Sequence, residues 1–123
     1  MKKIRDEGGF TLIELVVVIV ILGILAVIAV PKYLDIKAEA EKGTAHGITA
    51  ALRGAIAIRH ARYLMDNSNV YDGTTIGGDI ETEDVTVAGA AAVITATFPG
   101  GNTYEWTYTP RAGNTPAKVA EDF

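Results

Sequence analysis

The longest apolar stretch of the chain runs from Phe10 to Val30, and its single charged residue is Glu14. As an α-helix, this segment would be about 31 Å long, which matches the hydrocarbon core of a bilayer. A buried core helix is the alternative, but the rest of so short a chain could hardly cover it on all sides. In lipid, a helix is the structure that satisfies the backbone of a single segment. The pattern therefore predicts a transmembrane helix.

The next segment, residues 32–65, keeps a helical period. Apolar and small residues recur at steps of three and four, and most charged residues occupy the other face. The repeating positions are Tyr33, Ile36, Ala40, Gly43, Gly47, Ile48, Ala51, Leu52, Ala55, Ile56 and Ile58. We expect the membrane helix to continue as an amphipathic helix that packs on a small sheet and ends at residues 66–69. The small residues at Gly43 and Gly47 permit close packing, either against that sheet or against a helix of another copy.

Beyond a loop-like segment at 70–78, the period changes to two and predicts strands at 85–87, 93–98 and 104–108. Residues 99–102 form the turn between the last two. For Ile94, Ala96 and Phe98 to share a face with the aromatic residues of the next strand, the loop must contain three or five residues. We expect residues 111–123, which are polar and rich in turn formers, to be partly loose. The predicted fold class is α+β, a long N-terminal helix on a small antiparallel sheet.

Composition excludes several classes of function. The chain has 123 residues, 11 Lys and Arg against 15 Asp and Glu, two His and no Cys. The net charge of -4 argues against general nucleic-acid binding, which needs a basic footprint. Without cysteine, disulfides, thiolate metal sites and cysteine nucleophiles are excluded. No set of nucleophile, base and orienting residue can be assembled, so we expect no enzyme and no cofactor.

The flanks of the apolar segment set its orientation and processing. Lys2, Lys3 and Arg5 precede it, so the positive-inside rule keeps the N-terminal end cytoplasmic and the rest of the chain outside. In a secretory signal, the apolar region precedes the cleavage site. Here the small residues Gly8 and Gly9 come before the apolar run, so a cut there would leave the membrane helix on the mature protein.

The hexapeptide Gly9-Phe10-Thr11-Leu12-Ile13-Glu14 resembles the processing motif of type IV prepilins. The resemblance is dense over residues 8–34 and includes Gly23 and Pro31, where many pilin helices carry a helix breaker. Residues 31–35 are similar to the mannose-sensitive haemagglutinin type of pilin. The resemblance implies cleavage between Gly9 and Phe10 by the prepilin peptidase and N-methylation of Phe10. It divides the chain into a leader (1–9), a transmembrane and assembly helix (10–31) and a helix-plus-sheet head (32–123).

The function implied by this resemblance is that of a structural subunit of a type IV pilus, for adhesion or surface motility. The partners would be identical subunits, the peptidase and the inner-membrane assembly machinery. The precursor would span the inner membrane once, and the assembled filament would be extracellular. Three alternatives stay open: a pseudopilin of a type II secretion system, a minor or tip pilin that binds a ligand or DNA, and a single-span anchor with a binding domain.

Glu14 lies inside the apolar run, where a carboxylate costs about 2.5 to 3.5 kcal/mol on insertion scales. It could lie near the membrane surface and be favoured by the helix dipole. The resemblance favours a second role, in which Glu14 pairs with the new α-amino group of a neighbour's Phe10 and sets the register of assembly. Gly23 and Pro31 weaken the helix, as kinks or as a segment that can stretch.

Three other groups of residues suggest binding sites. The acidic residues Asp79, Glu81, Glu83 and Asp84 are weak calcium candidates, but a solvated strand edge is the simpler interpretation. A basic row could contact DNA in an uptake pilin, although a solvated helix face is the default; it comprises Arg53, Arg59, His60 and Arg62. The aromatic row of Tyr104, Trp106 and Tyr108 could bind sugar, although sheet core is the more common role.

Overall fold

The fold of residues 8–123, the part of the chain that the computed structural model describes, is α+β, as predicted. Helix α1 spans Leu12–Met65 and a short helix α2 spans Gly73–Gly78. Four strands follow: β1 (Thr86–Gly89), β2 (Val93–Thr97), β3 (Thr103–Thr109) and β4 (Lys118–Glu121). They form one antiparallel sheet in the order β1-β2-β3-β4. The leader cations Lys2, Lys3 and Arg5 lie outside the described residues.

The chain divides into two compact units, one that ends at Glu39 and one that spans Ala40–Phe123. In the first unit, helix α1 passes through Gly23 and Pro31 without interruption. Its large apolar side chains, from Phe10 to Ile36, are all exposed. The helix is long and apolar enough to cross a membrane, as the sequence predicts.

The second unit has one core between α1 and the sheet. Helix α1 contributes Ala45, Ile48, Leu52 and Ile56, which pack in one cluster with residues of the sheet. The largest of these in the strands are Ile94, Trp106 and Tyr108, and Phe98 joins them from the connection that follows β2. The recurrence of apolar residues at three- and four-residue steps thus correctly predicts the buried Ile48, Leu52 and Ile56.

The buried face of α1 nevertheless differs at several positions from the apolar face that the sequence predicts. Gly43, Gly47, Ala51 and Ile58 are exposed, whereas the polar residues Glu41, Thr49 and His60 are buried. Burial of these polar groups is tolerated because each has a hydrogen-bond partner. A Cβ added at Gly43 or Gly47 would meet nothing within 4 Å, so close packing against the protein's own sheet is the wrong alternative for these glycines.

The register of the β2–β3 hairpin confirms the prediction of an odd loop. Ile94 lies opposite Trp106 and Ala96 opposite Tyr104, and the last paired residues are Thr97 and Thr103. Five residues, 98–102, therefore connect the strands. Within this loop, Gly100 and Gly101 have φ angles of 107° and 90°, a region that favours glycine.

Two segments are more ordered than the sequence analysis predicts. Residues 111–123 are not loose, because strand β4 pairs with β3 and inserts Val119 into the core. The loop expected at 70–78 contains α2, whose N-cap Asp72 accepts a hydrogen bond from the backbone N–H of Thr75 at 2.9 Å. Strand β1 also begins one residue later and ends two residues later than expected.

Candidate functional site

The segment predicted to be cleaved lies outside regular structure. Gly8, Gly9 and Phe10 precede α1, which begins at Leu12, and all three residues are exposed. Phe10 is 88% exposed, and a Cβ added at Gly9 would meet no atom within 4 Å. The Gly9–Phe10 bond is therefore in accessible, non-helical backbone, the form that a peptidase can bind.

Glu14 and Thr11 form a capping box at the start of α1. The Glu14 carboxylate accepts hydrogen bonds from the backbone N–H of Thr11 at 2.9 Å and from its hydroxyl at 2.8 Å. In return, the backbone N–H of Glu14 donates to the Thr11 hydroxyl oxygen at 3.3 Å. This reciprocal pattern satisfies backbone donors that have no partner within the helix. The spacing Thr-x-x-Glu before an apolar run is a signal that the sequence analysis missed.

The surface around Glu14 is apolar. Phe10, Ile13, Val17 and Val18 line a shallow groove on the same side of the helix as the Glu14 carboxylate. Within residues 8–123, no cationic side chain pairs with this carboxylate. The arrangement presents one negative charge within an otherwise apolar surface.

The acidic candidates do not act as one cluster. Asp79 accepts hydrogen bonds from Arg59, at 2.7 Å from Nε and 2.5 Å from Nη2. The Arg59 guanidinium holds the pKa of the Asp79 carboxyl below its ordinary value. Glu81, Glu83 and Asp84 are exposed in the segment that follows. Among residues 8–123, no group of three or more His, Asp or Glu side chains could hold a metal ion.

The predicted basic row is also not brought together. Arg59 is engaged by Asp79, and His60 is buried between α1 and the loops of the second unit. The Nε2 atom of His60 donates to the carbonyl oxygen of Asn114 at 3.0 Å, which leaves Nδ1 to accept from the Tyr71 hydroxyl at 3.0 Å. His60 is therefore a structural residue that ties the C-terminal segment to α1, rather than part of a nucleic-acid surface.

The aromatic row is core, as the more common role predicts. Trp106 is fully buried and Tyr108 is 2% exposed. Tyr104 is half-buried and packs edge-on against Phe98 and Phe123, with ring centroids 5.2 and 5.0 Å apart. Burial raises the pKa of Tyr108 to about 12. With two of the three rings enclosed, the row does not form a sugar-binding surface.

The N-terminal region matches a known family model. Residues 4–30 match the prokaryotic N-terminal methylation motif. This match covers the Gly9–Phe10 bond, the capping box and the whole apolar segment from Phe10 to Val30.

Several known proteins are similar to the chain over a longer stretch. A fimbrial protein, EcpC of Eikenella corrodens, is 38% identical over 96 residues, which are 75% of this chain and 63% of that protein. The type II secretion system core protein G of Vibrio cholerae is 46% identical over 77 residues, 63% of this chain and 49% of that protein. The type IV major pilin protein PilE of Neisseria gonorrhoeae is 35% identical over 101 residues, 78% of this chain and 59% of that protein.

The chain thus spans between about half and somewhat under two thirds of the length of these relatives. No solved structure matches it significantly.

Proposed function

The chain belongs to the type IV pilin family, and on this premise we propose that it is a structural subunit of a type IV pilus filament that serves adhesion or surface motility. The proposal rests on the exposed apolar surface of the first part of α1. Its apolar side chains are exposed on every side and need a membrane or identical helices to cover them. The same segment carries the N-terminal methylation motif.

The proposed maturation begins with cleavage by the prepilin peptidase between Gly9 and Phe10, followed by N-methylation of Phe10. The exposed, non-helical backbone before Leu12 supports a cut at this place. Removal of residues 1–9 would take away Lys2, Lys3 and Arg5 and leave the apolar helix on the mature chain. The precursor would lie in the inner membrane with its N-terminus in the cytoplasm, in contact with the assembly machinery.

After the cut, Phe10 carries a new α-amino group that is positive at neutral pH. We propose that this group pairs with Glu14 of a neighbouring subunit as the helices pack in the filament. An unpaired carboxylate in an apolar interior is costly, so the pair fixes the axial register of each added subunit. The apolar groove around Glu14 supports this role, since it excludes water from the carboxylate once a second helix covers it. Gly23 and Pro31 would lower the cost of local stretching as the helix leaves the bilayer.

A second function is favoured by one specific observation. The chain is 46% identical over 77 residues to a protein whose name is type II secretion system core protein G. In that function, the chain would be a pseudopilin that assembles through the same helix but remains in the cell envelope. Processing and the role of Glu14 would be unchanged, and only the location of the polymer would differ.

Location of the mature protein distinguishes the two functions. In a strain that expresses the full chain at its native level, filaments are sheared from the cells, and the sheared and envelope fractions are probed for the processed protein. A pilus subunit dominates the sheared fraction. Processed protein confined to the envelope, together with a secretion defect on deletion, contradicts the pilus function and supports the pseudopilin.

A further inference from the structure

An apolar groove of about 590 Å³ lies between the C-terminal part of α1 and strand β4. Its floor comprises Ile56, Ala57, Ala61 and Leu64 from the helix and Val119 from the strand. Because β4 is an edge strand of the sheet, this groove opens along one side of the second unit. Its apolar floor would be stabilised by a covering segment.

Two cations line the groove, Arg53 on the helix side and Lys118 on the strand side. Both are exposed, and within residues 8–123 neither takes part in an ion pair. The nearby carboxylate of Glu121 already accepts a hydrogen bond from the Thr49 hydroxyl at 2.7 Å and one from His46 at 3.1 Å. The groove therefore presents positive charge that its own surroundings only partly balance.

The opposite edge of the same sheet carries the complementary charge. Residues 81–84 lie just before β1, and their side chains are exposed. The hydroxyl of Thr82 donates to the carbonyl oxygen of Val85, so the segment forms a defined turn. In the described part of the chain, the carboxylates of Glu81, Glu83 and Asp84 make no hydrogen bond or ion pair, whereas the preceding Asp79 is engaged by Arg59.

We propose that the groove binds the acidic turn, residues 81–84, of a second copy of this chain. The contact rests on the proposed function and adds to it a defined interface between heads. Carboxylates of the turn would pair with Arg53 and Lys118, while the side-chain methylenes and the methyl group of Thr82 cover the apolar floor.

The topology decides what kind of assembly this contact builds. The sheet order β1-β2-β3-β4 puts the acidic turn and the groove at opposite edges of one subunit. A contact between two different surfaces is heterologous, so each copy can use both surfaces at once, and the contact repeats in an open array rather than closing a dimer. This is the symmetry that a filament needs.

Cysteine cross-linking tests the contact directly, because the natural chain contains no cysteine. Ala61→Cys puts one thiol in the groove and Thr82→Cys puts one in the turn, and neither removes a charge. Filaments of the full-length double variant, sheared from the native host, are treated with a short bifunctional maleimide. The proposal predicts a ladder of covalent oligomers. Co-assembled single variants should give dimers only.

A matched control keeps the turn thiol and moves the other to Thr103→Cys, an exposed position at the start of β3. This pair should give no ladder. Charge reversal provides an independent test. Lys118→Glu and Glu83→Lys should each lower filament yield about two- to fivefold, and the double variant should restore it.

The outcomes separate the two proposals. Filaments of the double-cysteine variant that give no ladder, or charge reversals that do not rescue one another, would overturn the head contact and leave the pilus function standing. If the wild-type chain forms no filaments or envelope polymers at all, the proposed function fails, and the head contact fails with it.

Discussion

The indole N–H of Trp106 donates to the hydroxyl oxygen of Thr49 across the core, at 2.8 Å. Thr49 in turn donates to the carboxylate of Glu121 at 2.7 Å. This relay joins α1 to strands β3 and β4 through polar atoms inside an otherwise apolar interface. It explains how a threonine on the buried face of the helix is tolerated, since each polar atom in the relay has a partner.

Thr49→Val should therefore destabilise the second unit, although it conserves side-chain shape. The substitution leaves the buried Trp106 N–H without an acceptor, which costs about 1 to 3 kcal/mol. Unfolding of the full chain in detergent by urea can be followed through Trp106, the one tryptophan of the chain.

The matched control removes another hydroxyl from the same core. Within residues 8–123, the buried Tyr108 hydroxyl has no hydrogen-bond partner, so Tyr108→Phe should leave the free energy of unfolding unchanged or raise it. Equal losses of stability for the two variants would contradict the relay.

The same relay makes stability depend on pH. Hydrogen bonds from Thr49 and then His46 hold the pKa of Glu121 below its ordinary value of 4.5. A carboxyl whose pKa is lowered by folding stabilises the folded state at pH values above its unfolded-state pKa. That stabilisation is lost as the pH falls through its folded-state pKa. Glu121→Gln should thus be less stable than the wild type at neutral pH, and the difference should shrink below about pH 4.5. A difference that stays constant from pH 7 to pH 3 would show that the carboxylate charge is not involved.

Gly89 allows α2 to lie directly on β1. A Cβ at this position would overlap the carbonyl oxygen of Gly73, and one at Gly77 would overlap the backbone of Gly89. Because backbone atoms cannot move aside as a side chain can, Gly89→Ala should cost about 3 kcal/mol or more. Gly78→Ala is the control, since a Cβ there meets open space. Urea unfolding of both variants gives the comparison, and similar stabilities would refute the close contact of α2 with β1.

How much of this fold can be predicted from the sequence depends on whether the signal is local. Helix α1 and the odd length of the connection between β2 and β3 follow from periodicity and from which residues must share a face, whereas the choice of five residues over three does not. Strand β4 does not, because its four residues become a strand only through pairing with β3 and through burial of Val119. Pairing and burial therefore provide the stabilisation that the polar sequence of β4 does not provide through its own strand propensity.

The candidate sites show the same division. The Gly9–Phe10 motif and Glu14 are local signals that the sequence itself carries, and their roles stay predictions. The capping partner Thr11 was missed, although the spacing Thr-x-x-Glu is the signal for it. The burial of Thr49 and His60 could not be predicted, since it depends on Trp106, Tyr71 and Asn114, which are distant in sequence.

Substitution of Glu14 can separate its charge from its capping role. Glutamine also forms a capping box, so Glu14→Gln should keep the helix start while removing the charge. We expect normal cleavage and about a tenfold or greater loss of filament yield, because the neighbour's amine loses its partner in an apolar interior. Glu39→Gln, an exposed position further along α1, provides the control. Normal filament yield from Glu14→Gln would contradict the proposed pairing.

The most direct test of the central proposal is the intact mass and the N-terminal residue of the protein sheared from the cell surface of the native host. We expect this chain to dominate the fraction, to begin at Phe10 and to carry one N-methyl group. A sheared protein that still begins at Met1, or a processed protein that never leaves the envelope, would contradict the assignment as a pilus subunit.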